Sequence, residues 1–267
     1  MVMLSEPPPV HPHKLRRLFW PFLGLAETCR QVIGTVAGSF VNDERRYTIP
    51  RFTFLGPLGI AHKRIGIFAL VHGDEPAGAA ALLCLLQTLA EEPSLAIGYD
   101  IVCYPVCNPT GFEDGSRQSR RGLDLNREFW RNSAQPEVQI LERELRTQAF
   151  DGIIALHADD TCTGLYGYTH GREINESLLQ PALRASSTVL PLDCRPVIDG
   201  FAAEGGLICD CFAGILAPPP DQKPRPFEII FETPAHAPAE QQAAAAHLAL
   251  LSIIEHYRGF MAYAQDL

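Results

Sequence analysis

The run Ile65-Gly66-Ile67-Phe68-Ala69-Leu70-Val71 stops abruptly at His72-Gly73-Asp74-Glu75, and Pro76 follows at once. A short, nearly unbroken apolar run marks a strand buried on both faces of a parallel sheet. Proline suits the first position of a helix, and residues 77–92 are rich in Ala and Leu up to Pro93. A second apolar run over 99–106 completes a βαβ unit. Few chains can place such a unit anywhere but in an α/β sheet.

The remaining segments extend the pattern. Residues 14–37 read as a helix and 47–55 as a strand, with Pro50 favouring a sheet edge. Helices are expected over 136–148, 173–189 and 239–263. Apolar strands over 152–156 and 227–231 run into His157 and Glu232. Residues 108–135 show little periodicity and carry Arg117, Arg120, Arg121, Arg127 and Arg131; a loop of that length inside a compact domain is usually functional. The alternation predicts an α/β fold, a mixed, mostly parallel sheet with helices on both faces. At 267 residues, 1–267 is expected to form one domain, with the Pro-rich 1–13 mobile. Such sheets bind ligands beyond the carboxyl ends of their strands. His72, Asn108, His157 and Glu232 all stand at those ends, so they are expected to converge on one rim.

Composition removes several classes. The net charge of -9 argues against a nucleic-acid partner. No apolar run reaches the roughly 18 residues that cross a bilayer, so no membrane partner is expected. The basic cluster Lys14, Arg16 and Arg17 before the apolar 18–26 stretch looks only faintly like a leader, since Pro21 interrupts it and no small-residue cleavage site follows. It reads as a first helix, with a cytoplasmic location expected. The 8 cysteines are scattered and suggest no disulfide framework. Cys209 and Cys211 form C-x-C, but such residues are more often small buried hydrophobes than metal ligands.

A catalytic metal site needs three protein ligands and an open position, and imidazole with carboxylate suits zinc. His72 and Glu75 are three apart where a strand passes into a helix, and His157 ends another strand. Alone, H-x-x-E is a weak signal. A buried hydrogen-bonded histidine and a first-turn carboxylate favouring the helix dipole remain open as plainer readings.

Four separated pieces add a resemblance: His72-Gly73-Asp74-Glu75; Asn108-Pro109-Thr110-Gly111; Arg117 through Gly122-Leu123-Asp124-Leu125-Asn126-Arg127-Glu128-Phe129; and the strand ends Leu156-His157 and Phe231-Glu232-Thr233-Pro234. In order and spacing these resemble the zinc carboxypeptidase superfamily, including its succinylglutamate desuccinylase and aspartoacylase branch. The resemblance implies one zinc ion on His72, Glu75 and His157. It implies Arg117 at the scissile carbonyl, Asn126 and Arg127 on the substrate's free carboxylate, and Glu232 as general base. It implies an enzyme acting on a small-molecule or short-peptide substrate with a free carboxylate, foremost a metallocarboxypeptidase. An N-acyl amino acid deacylase is the nearer alternative and a non-catalytic binding protein on a decayed hydrolase scaffold the more distant one. One feature departs from the peptidase pattern: no tyrosine lies between Tyr168 and Glu232. Tyr166 and Tyr168 are the candidates to serve from another direction. Oligomeric state is not legible in the sequence.

Overall fold

The apolar run before His72 forms strand β3 (Lys63–Phe68) in a computed structural model that describes residues 13–58 and 62–265. Around it lie β1 (Val32–Asn42), β2 (Arg45–Leu55), β4 (Tyr99–Tyr104), β5 (Gly152–Asp159), β6 (Tyr166–Thr169), β9 (Leu207–Ile208) and β10 (Phe227–Pro234). They make one eight-stranded sheet ordered β1-β2-β4-β3-β5-β10-β6-β9. Its centre, β4-β3-β5-β10, is parallel, while β1 and β2 pair antiparallel to their neighbours and β6 runs antiparallel to β10 and parallel to β9. A separate hairpin joins β7 (Val197–Ile198) to β8 (Phe201–Ala202).

Helices cover both faces, as the alternation predicts. α1 (His13–Thr28), α2 (Ala77–Glu91), α6 (Gln180–Ser186) and α7 (Ala239–Gln265) contribute to one core with Ile65, Ile67, Ile154, Leu156, Ile229 and Phe231. α4 (Pro136–Gln148) closes the other face over Phe68, Tyr104 and Ile153. The mixed sheet with its helices is the α/β architecture expected. The anticipated tail over 1–13 lies outside the described residues except His13, which opens α1.

Several boundaries differ from the sequence reading. The expected 14–37 helix ends at Thr28, and 32–42 becomes β1. Val32, Ile33, Thr35 and Val36 are β-branched, and Gly34 and Gly38 weaken a helix further. The β1–β2 hairpin turns on Asp43 and Glu44, with φ of 48 and 62, the left-handed pair a two-residue hairpin requires. β2 is not an edge strand: it lies between β1 and β4, and Pro50 is tolerated opposite Val36 at a bulge that ends at Gly38. The 108–135 loop contains α3 (Pro109–Asp114) and a short turn at Leu125–Arg127. The 173–189 helix is split into α5 (Arg172–Ile174), a π-turn at Asn175–Leu179 and α6, whose Pro181 lacks the N–H that a continuous helix would use.

Candidate metal centre

Three donor groups meet between β3 and β5. His72 Nδ1 lies 2.7 Å from Glu75 Oε1. His157 Nδ1 lies 3.0 Å from Glu75 Oε2 and 3.2 Å from His72 Nδ1. All three residues are buried, and among the described residues they are the group of three able to hold a metal ion. Two imidazole nitrogens aimed at one another and at a carboxylate are electron-pair donors competing for one point, which a cation satisfies. Tetrahedral ligand atoms about 2.0–2.2 Å from zinc would lie at comparable mutual distances. The residues therefore fit the ion that the resemblance implies.

Local backbone explains the placement. Leu70 adopts φ 53, a sparsely populated conformation for a side-chain-bearing residue, and turns the chain out of β3. A Cβ on Gly73 would stand 2.0 Å from the Gly111 carbonyl carbon, so the metal turn and the start of α3 touch backbone to backbone. Asn108 caps α3 by accepting from Gly111 N, and its Nδ2 donates to Val71 O and Arg117 O. The Asn108-Pro109-Thr110-Gly111 piece is thus a buttress beneath the ligands. His157 and Glu232 lie within β5 and β10, not at their last residues, and are paired in register.

Asp124 is the functional neighbour that sequence reasoning missed. Its Oδ1 lies 3.0 Å from His72 Nε2, and Oδ2 accepts from Arg117 Nη2 at 3.4 Å. Such a carboxylate fixes the ring's tautomer and orientation, leaving Nδ1 for a metal. Burial would raise the Asp124 carboxyl, but His72, Arg117 and Arg127 outweigh it and hold it below the usual range. Burial likewise opposes charge on Glu75, yet His157 and His72 hold its carboxyl low. The only signal in the sequence is position: Asp124 lies inside the Arg117–Arg127 segment. Asp159, two residues after His157, accepts from the Thr161 N–H and hydroxyl and from the Tyr166 hydroxyl.

His72, Glu75, Arg117, Asn126, Arg127 and Glu232 all line one cavity of about 300 Å³. Glu232 faces Tyr166 across the β10–β6 pairing and His157 across β5. Enclosure, with Glu75 and Asp159 nearby, pushes its carboxyl well above the usual range. Tyr166 and Tyr168 reach the cavity too, donating to Asp159 and Asp199 at 2.9 and 2.8 Å. Arg117 Nη1 approaches Glu75 Oε1 at 3.3 Å. Arg127 forms no ion pair among the described residues, neither with Asp124 nor with Glu128. Asn126 accepts from Leu216 N through Oδ1, which leaves its NH2 as the end able to donate. Arg120 is structural, tied to Glu113, Asp114 and the Tyr47 hydroxyl. Cys211 lies 3.0 Å from His170 Nε2 and Cys209 accepts from Asn175, so among the described residues C-x-C gathers no ligand set.

Residues 61–176 match the succinylglutamate desuccinylase/aspartoacylase catalytic domain. Murein peptide amidase A of Escherichia coli (strain K12) is 41% identical over 63 residues, so the match spans 24% of this chain and 24% of that relative's length. Among solved structures, a candidate metallopeptidase from Shewanella amazonensis superposes with a TM-score of 0.76 at 22% identity, over 90% of this chain and 92% of its own. A metallo-carboxypeptidase from Burkholderia cenocepacia gives 0.70 at 17%, over 90% and 68%. A metallo-carboxypeptidase from Pseudomonas aeruginosa, in complex with (2-guanidinoethylmercapto)succinic acid, gives 0.67 at 16%, over 94% and 70%. At these identities the solved structures speak to fold alone. The matched catalytic segment and the short stretch of close identity make the chain similar, over residues 61–176, to the succinylglutamate desuccinylase/aspartoacylase catalytic domain of the zinc carboxypeptidase-like superfamily, and its sheet shares the fold of these solved structures.

Proposed function

We propose that the chain is a zinc-dependent hydrolase of amide bonds next to a free carboxylate, acting as a carboxypeptidase on short peptides. The observation that carries the reading is the meeting of His72 Nδ1, Glu75 and His157 Nδ1 at the wall of a cavity that His72, Glu75, Glu232 and Arg127 line. Zinc on those three residues supplies a Lewis acid that polarises a carbonyl and acidifies water.

The chain's own groups do the rest. Glu232 takes a proton from the attacking water and passes it to the leaving amine. Its environment disfavours the anion, which suits a carboxyl that must hold and then surrender a proton. Arg117, beside Glu75, stabilises negative charge on the carbonyl oxygen. Arg127 receives the substrate carboxylate through paired N–H donors, assisted by the Asn126 amide.

A deacylase of N-acyl amino acids is the second reading, favoured by the family match over residues 61–176. It needs the same ligands, base and carboxylate clamp. A binding protein on a decayed scaffold would be expected to lack a ligand or the base, and neither is missing from the sequence. Metal analysis of purified protein, paired with hydrolysis assays on dipeptides and N-acyl amino acids, separates the three. Zinc with dipeptide hydrolysis supports the first, zinc with deacylation alone the second. Protein that binds no metal and turns over neither class overturns the hydrolase reading.

A further inference from the structure

We infer that Phe212 is a positioning residue for the carboxylate clamp, holding the Arg127 guanidinium against its ring so that the N–H edge stays available to the cavity. This rests on the proposed role of Arg127. The Arg127 guanidinium carbon sits 4.3 Å from the Phe212 ring centroid, and both side chains line the cavity. Among the described residues Arg127 makes no ion pair, and its hydrogen bond runs to its neighbour's carbonyl, from Nη1 to Asn126 O at 2.7 Å. A carboxylate partner would occupy the in-plane donors that a substrate needs. An aromatic face attracts the cation from above and leaves that plane open.

The ring is itself held. Phe201 of β8 meets Phe212 edge-on at 4.8 Å, and Tyr168 of β6 meets Phe201 edge-on at 5.9 Å. The loop bearing Phe212 is fastened to the clamp segment at three further points. Phe129 N donates to Gly214 O, Leu216 N to Asn126 Oδ1, and Trp130 Nε1 to Ala217 O. Gly214, at φ +82, lies so close that a Cβ there would stand 2.4 Å from Arg127 O. The clamp and its aromatic support therefore form one unit. Orienting a rotamer-rich arginine in advance lowers the entropy lost when ligand binds. The effect belongs in ground-state binding and so in KM more than in kcat.

The test compares the metal-loaded full chain with F212L, F212M, F212Y, R127K and F212L/R127K, on a hydrolysed substrate and on its carboxamide analogue. Metal content and melting temperature screen each variant for folding. F212L and F212M should raise KM for the free-carboxylate substrate about tenfold with little change in kcat. F212Y should restore the wild-type value, and F212L should add little in the R127K background. The carboxamide should be indifferent to residue 212. Equal losses on both substrates, additivity with R127K, or failure of F212Y to restore KM would overturn the assignment. If R127K separates the two substrates and F212L does not, only Phe212 loses its role. If R127K fails to separate them, the clamp reading falls and this inference with it.

Discussion

His157 and Glu232 are paired in register on the adjacent parallel strands β5 and β10, so both side chains leave the same face of the sheet. A slip of one residue in that pairing would turn one of them into the opposite core. The sheet itself thus fixes the proposed base relative to a proposed metal ligand, and the two are expected to have separable roles. Glu232→Gln should leave metal content and fold intact while lowering kcat by a factor of about 10² to 10⁴. Full activity in this variant, measured with metal content confirmed, would remove Glu232 from the proposed mechanism.

The clamp predicts a substrate-dependent loss. Lysine cannot rebuild a bidentate contact, so Arg127→Lys should lower kcat/KM by at least about tenfold, about 1.4 kcal/mol, with little change in melting temperature. Amidating the substrate carboxylate should hurt the wild type heavily and the variant much less. Equal losses in the two enzymes would show that Arg127 does not read that carboxylate.

Asp124 is expected to act on metal affinity. Its carboxylate holds His72 Nε2 at 3.0 Å. Asp124→Asn should weaken zinc binding by about 10- to 100-fold, read by competition with a chelator of known affinity. Unchanged affinity would mean that the ring is fixed by packing alone.

Glu228 gives the fold a pH dependence separate from the site. Among the described residues its Oε2 has no hydrogen-bond partner, although Arg225 approaches it at 3.7 Å. Burial raises the carboxyl from 4.5 to about 7, with Arg225 opposing the rise. The folded pKa is the higher one, so the stabilising contribution is complete below about pH 4.5 and lost as pH rises through about 7. The span corresponds to about 3 kcal/mol at most, at 1.36 kcal/mol per pH unit. Glu228→Gln should therefore melt close to wild type near about pH 5 and several degrees higher near about pH 8.5. A gain of equal size at both values would contradict the assignment.

The parts of the fold legible in the sequence were those whose local pattern had one reading. β3, β5 and β10 are short apolar runs with a polar residue near the end, and α4 begins at a proline and shows helical periodicity, so its bounds were recovered. β1 was hidden because residues 18–37 are apolar enough for either element, and its partner β2 decides the matter. β6 to β9 are two to four residues long and leave almost no periodic trace. The proposed ligands are legible as a candidate set because His72 and Glu75 follow one apolar run and His157 stands near the end of another, and the fold brings them together. Asp124 and Phe212 were not, because their partners lie 52 residues away for His72 and across a stacking contact for Arg127.

The backbone contact between Gly73 and Gly111 has a consequence for how this site can vary. On one side of that contact hang the two proposed metal ligands His72 and Glu75; on the other, the Asn108 cap also grips the Arg117 carbonyl. A methyl group added at Gly73 forces the two segments apart, so it displaces the His72–Glu75 turn and the arginine loop in a single event, whereas one added at Gly111 strikes the Asn108 side chain and the Gln118 carbonyl of the arginine loop itself. Neighbouring surface positions can drift one at a time. Gly73 behaves as a pivot, where a change in one half of the machinery is inherited by the other.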